Sequence, residues 1–263
     1  MKKEIPIYQV DAFTCKVFSG NPAAVCPLEQ WLEDSVMQAI ATENNLSETA
    51  FFVKEPSGYR IRWFTPVKEV DLCGHATLAS GYVFFNYINP NSNKVEFNSK
   101  SGKLSVSRDN EYLSLDFPAQ PPNPCDAPKA LLAGLRKEPS EVLCSEDFLV
   151  VYHSEKDIVE LQPDFTELSK LGRRGVIVTA KGDEADFVSR FFAPTYGINE
   201  DPVTGSAHCE LTPFWAERLG KNKLHALQLS KRGGELFCKM VGDRVIISGR
   251  AAEYMKGNIV VEV

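Results

Sequence analysis

The chain has 263 residues, of which 43% are hydrophobic, so it is long enough to bury one large core or two of ordinary size. Its formal net charge of -6 argues against a nucleic-acid-binding protein, because such proteins normally carry a basic face. The longest apolar runs, such as residues 50–53, have the length of a strand and fall well short of the ~18 residues that a membrane span requires.

The amino-terminal residues 1–13 pass directly into a strand-like alternation, with no apolar signal-peptide core and no small-residue cleavage site. The seven cysteines are odd in number and show no C-x-x-C spacing, which fits reduced thiols better than a disulfide framework or a zinc site. We therefore expect a cytoplasmic protein that crosses no membrane and binds no nucleic acid.

Glu48 stands between a helical pattern that ends near residue 45 and the apolar strand at residues 50–53. The chain also contains an internal repeat, described below, and the place near Arg174 that corresponds to Glu48 in its second half carries no carboxylate. In a cleft with apolar walls the pKa of Glu48 would rise, and the side chain could then take up and return a proton at neutral pH. The plainer alternative is a solvated glutamate ahead of a strand.

The sequence repeats itself with an offset that starts at 128 positions and grows by a few residues. Residues 62–66 match residues 190–194 at three of five positions, and the Gly-His-Ala of residues 74–76 aligns with the Gly-Ser-Ala of residues 205–207. One repeat of this length is too long for a solenoid unit. It indicates duplication into two similar halves.

Alternate apolar residues predict three antiparallel strands in each half, within residues 94–117 and 226–250. An offset of 132 aligns the two sets, and it places Leu227 and Leu229 on the buried face of their strand. Each half should therefore contain an antiparallel sheet with one face turned to a core.

Each half also contains one pattern that predicts a central helix. Residues 76–85 are apolar on nearly every face, which is typical of a buried helix. The second helix is predicted from about residue 202 to residue 219, with Gly220 at its carboxyl-terminal end. We expect the two helices to begin near Gly74 and near Gly205.

The halves are joined by a segment with four prolines between residues 118 and 124, which preclude regular structure there. We therefore place the first half at residues 1–118 and the second at residues 119–257. Clefts between domains are the usual place for small ligands, and we expect the active site there.

The turns before the two helices carry polar residues at corresponding positions, and their N–H groups would stabilise a carboxylate or enolate. His75 is either a ligand-binding or a structural histidine, and Asp201, which precedes Pro202, either holds a substrate or caps its helix. The other three histidines lack metal-ligand spacing. The chain also lacks the glycine-rich motifs of nucleotide-binding proteins and the elbow of serine hydrolases.

Five ordered motifs carry a family resemblance: Phe-Ser-Gly-Asn-Pro at residues 18–22, Asn-Leu-Ser-Glu-Thr at 45–49, Phe-Thr-Pro at 64–66, Cys-Gly-His-Ala at 73–76 and Asp-Pro-Val-Thr-Gly-Ser-Ala at 201–207. They resemble the PhzF-like (phenazine biosynthesis-like) family, relatives of diaminopimelate epimerase and proline racemase, over essentially the whole chain. The resemblance implies an α+β, diaminopimelate epimerase-like fold of two pseudo-symmetric halves, each a highly curved, barrel-like antiparallel sheet around a central helix. It also implies that a strand at residues 258–263 returns to the first half.

The resemblance further implies a cofactor-independent isomerase that shifts a proton on a small carboxylate-bearing substrate and uses neither a metal nor an organic cofactor. Glu48 would remove and return the proton, and His75 and Asp201 would complete the catalytic set. The substrate-binding set that it implies consists of Asn21, Cys73, Gly74, Ala76, Thr204, Gly205, Ser206 and Ala207. A homodimer is left open.

Two other functions remain open. Cys73 matches one thiol of the two-thiol racemases and epimerases, while Thr204 stands where the second thiol would be. The resemblance therefore extends to a one-thiol epimerase or dehydratase with Cys73 as its base, although a small buried residue at a helix start is the plainer alternative. The third hypothesis is a non-catalytic protein that binds a small molecule or a partner.

Overall fold

The computed structural model describes residues 2–56 and 58–262, and these form two compact units. The first unit contains the described residues up to Asp116 together with those from Ser248 onward, and the second runs from Phe117 to Ile247. In the described part of the chain, no helix has the length and apolar character that crossing a membrane would need. The predicted cleft between the two halves stays a prediction.

The first unit is a mixed sheet with two helices. Its elements are β1 (Lys2–Ala12), β2 (Asn21–Leu28), α1 (Asp34–Asn44), β3 (Glu48–Glu55), β4 (Gly58–Phe64), β5 (Glu69–Val70), α2 (Gly74–Val83), β6 (Lys94–Ser99), β7 (Gly102–Asp109) and β8 (Tyr112–Pro118). Neighbouring strands are antiparallel except in two pairs, β2 with β3 and β4 with β6. Parallel strands need a crossover connection, and α1 and α2 supply the two.

The second unit repeats this order with one short strand and one helix added at its start and two short helices in the place of α1. Its elements are β9 (Asn123–Pro124), α3 (Lys129–Leu135), β10 (Glu141–Cys144), β11 (Phe148–Val151), α4 (Glu155–Glu160), α5 (Phe165–Leu168), β12 (Val176–Lys181), β13 (Phe187–Ala193), β14 (Ile198–Asp201), α6 (His208–Leu219), β15 (Lys223–Gln228), β16 (Gly234–Val241) and β17 (Arg244–Gly249). Again two strand pairs are parallel, β11 with β12 and β13 with β15. The first is bridged by α4 and α5 and the second by α6, as the duplication predicts.

The last strand of the chain, β18 (Ala251–Glu262), belongs to the first unit. It pairs antiparallel with β1 along nearly the whole length of both strands, from Lys2 opposite Glu262 to Ala12 opposite Ala251. The return of the carboxyl-terminal segment to the first half is therefore present, and it starts seven residues earlier than the predicted residue 258.

Both predicted central helices are present, and α2 agrees with its prediction closely. It begins at Gly74, packs against β1, β2 and β3, and is buried along nearly all of its length. Gly81 explains how the helix fits so closely, because a Cβ built there would lie 2.6 Å from a methyl carbon of Val106 in β7. A π-helical turn, Phe84–Ile88, continues the helix.

The start of α6 differs from the prediction, which placed it between residue 202 and Gly205. The helix begins at His208, and Asp201 is not its cap but the last residue of β14. The carboxylate of Asp201 instead accepts a hydrogen bond from the hydroxyl of Thr204. The predicted end at Gly220 is confirmed, with the glycine in the left-handed conformation at φ 63°.

Leu227 and Leu229 are partly buried against a hydrophobic core of the second unit, but they do not lie on the fully buried face of their strand as predicted. The buried residues of β15 are Leu224, Ala226 and Gln228, at the alternate positions. The loop between Gln228 and Gly234 holds three residues more than the turn between Ser99 and Gly102. The strand before the loop, β15, therefore matches β6 at an offset of 129 positions, and only the strands after it match at 132. An odd shift turns every side chain of a strand to its other face.

Candidate active site

Three element starts meet in the first unit. β2 begins at Asn21, β3 at Glu48 and α2 at Gly74. β2 and β3 run parallel with Ala23 opposite Glu48, so their amino-terminal ends lie at one edge of the sheet. Because α2 packs against β2 and β3, its first turn brings His75 to Asn21 and Glu48.

His75 contacts three other residues of the predicted site. Its Nδ1 atom lies 3.2 Å from the side-chain nitrogen of Asn21 and 3.6 Å from the sulfur of Cys73. Its Nε2 atom lies 3.2 Å from Oε2 of Glu48, whose side chain is 13% exposed. The structure therefore brings together Asn21, Glu48, Cys73 and His75.

Burial lowers the pKa of His75 to about 3, because the charged imidazolium would lose its hydration. The ring is therefore neutral at physiological pH. The amide nitrogen of Asn21 donates, so Nδ1 is the acceptor and the ring hydrogen lies on Nε2, the atom that faces Glu48. His75 thus presents a neutral ring and not a cation to Glu48, and the 3.2 Å between Nε2 and Oε2 is a close approach and not a hydrogen bond.

The first turn of α2 contributes backbone donors to the same place. Cys73 precedes the helix in an extended conformation, with φ -148° and ψ 110°, and its side chain does not cap the helix. The N–H groups of the first helical residues, Gly74, His75 and Ala76, have no carbonyl partner within the helix. Together with the helix dipole they favour an anion at this end.

Glu48, Cys73 and His75 are also residue types that bind metals. One ligand atom from each lies within 4.8 Å of the others. Among residues 2–56 and 58–262, this is the one group of at least three side chains placed closely enough to bind a metal ion together. Histidine spacing in the sequence did not reveal it, because Glu48 is 25 residues away from Cys73. Three ligands are enough to hold an ion such as zinc with one position left open.

In the second unit, Asp201 and Thr204 form a buried network with Gln228. The hydroxyl of Thr204 donates to Asp201, and the N–H of Thr204 donates to Oε1 of Gln228 at 2.8 Å. Nε2 of Gln228 donates to the carbonyl oxygen of Asp201 at 2.9 Å. The amide of Gln228 therefore links Asp201 to Thr204 in the first part of the segment between β14 and α6.

Gly205, Ser206 and Ala207 lie in the turn that leads into α6, where Ala207 is buried. The hydroxyl oxygen of Ser206 accepts a hydrogen bond from Nη1 of Arg174 at 3.0 Å. Arg174 is in turn held by Asp147, whose carboxylate accepts from Nε at 3.1 Å and from Nη2. The side chain of Asp147 is completely buried.

Sequence reasoning missed Arg174 as a partner of Ser206, and it missed Asp147, Gln228 and Glu210. Glu210 is completely buried in α6, and its Oε1 accepts from the N–H of Asp147 at 3.0 Å. Of these residues, only Gln228 left a signal in the sequence, because it is a polar residue at one of the alternate buried positions of β15. The others are long-range contacts, with Asp147 standing 27 residues from Arg174.

The three remaining histidines differ in their surroundings. His208 is buried in α6 with Nδ1 bonded to the carbonyl oxygen of Thr204 at 2.9 Å, and burial lowers its pKa to about 4. His225 faces Glu235 at 3.0 Å, and His153 is exposed.

The comparisons with known proteins agree on one family. A family model described as phenazine biosynthesis-like protein matches residues 10–257. An uncharacterized isomerase of Pseudomonas aeruginosa is 54% identical to this chain over 256 residues, which cover 97% of the chain and 99% of the relative. The crystal structure of a PhzF-family phenazine biosynthesis protein from Enterococcus faecalis is 49% identical, with a TM-score of 0.95 over 98% of this chain and 99% of that one.

A more distant likeness concerns the fold alone. A hydroxyproline epimerase from Agrobacterium vitis shares 10% sequence identity, with a TM-score of 0.63 over 98% of this chain and 91% of that one. This confirms the predicted α+β fold of the epimerase type. By the family model and by its close relatives, the chain belongs to the family of phenazine biosynthesis-like proteins.

Proposed function

We propose that this protein is an isomerase that moves a proton on a small carboxylate-bearing substrate, with Glu48 as the acid and base and without a metal or organic cofactor. Support for the reaction class comes from relatives in Pseudomonas aeruginosa that are named isomerases and are 54% and 53% identical to it. The observation that carries the assignment to Glu48 is its contact with the neutral ring of His75 at 3.2 Å.

That contact suits proton transfer for an electrostatic reason. A cation beside Glu48 would stabilise its carboxylate form and weaken it as a base, whereas a neutral ring does so to a smaller degree. Asn21 holds the ring through Nδ1, so Nε2 stays on the side of Glu48. His75 therefore lies beside the base without permanently neutralising it.

In the proposed reaction, the same carboxyl group removes the proton and returns it, so no other acid or base is needed. Glu48 takes a proton from a carbon atom of the substrate, and the electron pair of the broken C–H bond is delocalised toward the substrate carboxylate. In a substrate whose C–H bond is conjugated with a carbon–carbon double bond, the protonated Glu48 then returns the proton to a different carbon on the same face, which shifts the double bond and regenerates the carboxylate of Glu48. The N–H groups at the start of α2 favour the negative charge of the intermediate.

The roles of the remaining predicted residues also belong to this proposal. Asp201, Thr204, Gly205, Ser206 and Ala207 would contact the substrate. Their own network, in which Gln228 fixes the backbone around Asp201 and Thr204, supports a preorganised binding surface. Their joint action with Glu48 on one substrate stays a prediction.

Hydrogen exchange tests the proposal before the natural substrate is known. The protein is incubated in D2O with a panel of small carboxylic acids that carry an acidic C–H bond, and loss of each C–H signal is followed by proton NMR. We expect at least one acid to exchange and Glu48→Gln to slow that exchange by ~10²–10⁴-fold. Glu55→Gln, at the other end of β3, is the matched control and should exchange at the normal rate.

One observation favours a second candidate, since the sulfur of Cys73 lies 3.6 Å from Nδ1 of His75. In that case Cys73 would be the base of an epimerase or dehydratase. Cys73→Ser would then abolish exchange while Glu48→Gln kept it. Binding of a panel acid without any exchange in the normal protein would instead favour the non-catalytic hypothesis.

A further inference from the structure

The two units contain corresponding corners in which a strand start meets a helix start. In β3 and β4, Thr49 lies opposite Phe64, and in β12 and β13, Val176 lies opposite Phe192. Phe64 and Phe192 are matching residues of the sequence repeat. Thr49 therefore corresponds to Val176, and Glu48 to the position immediately after Arg174.

The segments that begin the two helices also align in the repeat, where His75 in the first turn of α2 matches Ser206, two residues before α6. In the first unit the contact across this corner joins Glu48 to His75 at 3.2 Å. In the second unit it joins Arg174 to Ser206 at 3.0 Å. The corner that holds a carboxylate beside an imidazole ring in the first unit thus holds a guanidinium beside a hydroxyl in the second.

Arg174 is held rigidly at this position. The carboxylate of Asp147 accepts from two of its nitrogen atoms, and the guanidinium lies 5.4 Å from the ring centroid of Phe191. The side chain is 24% exposed, whereas that of Asp147 is 0% exposed. A buried carboxylate that binds arginine at two points fixes the plane of the guanidinium, and with it the direction of the N–H bond to Ser206.

This bond also determines how Ser206 can act. A guanidinium has hydrogen-bond donors and no acceptor, so the hydroxyl oxygen of Ser206 must accept from Arg174. The hydrogen of that hydroxyl is then directed to a different acceptor. An anionic oxygen is the acceptor best suited to a donor that is itself polarised by a cation.

We propose that Arg174 is a positioning residue that turns the hydroxyl of Ser206 into a dedicated donor for an anionic oxygen, and that the ligand it serves is a carboxylate or a similar oxyanion. The identification of this anion with the substrate carboxylate rests on the proposed function. The binding of an oxyanion at Ser206 does not, because it requires neither Glu48 nor turnover.

The test uses inorganic sulfate as the probe, titrated at constant ionic strength, with the backbone amide signals of Gly205 and Ser206 followed by NMR. We expect saturable shifts in the normal protein. Arg174→Met and Ser206→Ala should each raise the dissociation constant about tenfold, the usual weight of a hydrogen bond involving a charge. Arg173→Met, which removes the same charge one residue away, is the matched control and should leave it within about twofold.

A double-mutant cycle separates positioning from simple charge or packing. If Arg174 acts through Ser206, Arg174→Met should add little to the loss already caused by Ser206→Ala. Full additivity of the two losses, or normal sulfate binding by Arg174→Met, overturns the proposal. Absence of saturable shifts in the normal protein overturns it too, whatever the hydrogen-exchange assay shows for Glu48.

Loss of Arg174 leaves the charge of Asp147 buried and unpaired, which destabilises a fold strongly. Should Arg174→Met fail to fold, Asp147→Asn combined with Arg174→Met removes both charges and is judged by the same titration. Arg174→Lys keeps the charge but cannot bind Asp147 and Ser206 with one planar group, and we expect an intermediate affinity. Sulfate affinity equal to that of the normal protein in both variants contradicts the positioning role.

Discussion

Replacement of Glu210 by glutamine should remove a pH-dependent loss of stability from this protein. Glu210 is completely buried in α6, and burial, followed by the negative charge of Asp147, raises its pKa from 4.5 to about 8. The folded protein therefore keeps this carboxyl protonated at neutral pH, whereas the unfolded chain releases the proton above its ordinary pKa.

The sign and size of the effect follow from this difference. Because the folded state holds the proton more tightly, the stabilisation is complete below pH ~4.5 and is lost progressively until the pH passes ~8. At about 1.4 kcal/mol for each pKa unit, a shift from 4.5 to about 8 corresponds to about 5 kcal/mol in total. Between pH ~5 and ~9 the normal protein should lose about 4 kcal/mol that the Glu210→Gln variant keeps.

Urea denaturation at several pH values measures this directly, with tryptophan fluorescence as the signal, since Trp215 lies in the same helix. Glutamine keeps the shape of the side chain and an oxygen that can accept from the N–H of Asp147. Glu160→Gln, an exposed substitution in α4, is the control and should follow the normal curve. If the free energies of unfolding of normal protein and Glu210→Gln stay parallel from pH ~5 to ~9, Glu210 is ionised in the fold and the reasoning fails.

Three further predictions follow from burial and packing. The ring of His75 should keep the NMR shifts of neutral imidazole down to pH ~4, because burial lowers its pKa to about 3, and a transition near pH ~6.5 would contradict this. The exposed Cys15 should react with a thiol reagent in the native protein, while Cys26, whose pKa burial raises, should react only after denaturation; equal rates would refute the difference. Gly81→Ala should lower the free energy of unfolding by about 1–3 kcal/mol in a urea titration, because its Cβ would lie 2.6 Å from a methyl carbon of β7. Gly172→Ala, whose Cβ would meet nothing within 4 Å, should stay close to normal, and equal effects of the two changes would show that the packing argument is wrong.

The sequence predicted best those features that depend on local patterns. A helix that is apolar on nearly every face had to be buried, and α2 is buried and begins at Gly74 as expected. The duplication predicted two units with the same order of elements, which the strand pairing shows. The contact of Glu48 with His75 brings together two residues that the family motifs had already marked.

Two of the three failures share one physical cause, which is that side chains far apart in the sequence decided the local structure, and the third came from the length of a loop. α6 starts at His208 because Thr204 is held by Gln228 and Asp201, so the turn before it is stabilised without helical hydrogen bonds. The loop after β15 has five residues where the first unit has two, and this difference exchanges the buried and the less buried face of β15 relative to the prediction. Arg174 has a role only through Asp147 and Ser206, and no local pattern reports such a contact.

The pairing of β18 with β1 has a consequence for the order in which the chain folds during synthesis. β1 is made before the rest of its unit, yet one of its two edges waits for residues 251–262, which are made only after the second unit. The second unit is one continuous stretch, from Phe117 to Ile247, and all of it has been made before that edge can close. Domains generally fold as units while the chain grows, so the unit encoded second is the one that can finish first. Until then β1 exposes an unpaired strand edge, the kind of surface on which nascent chains aggregate and which chaperones protect.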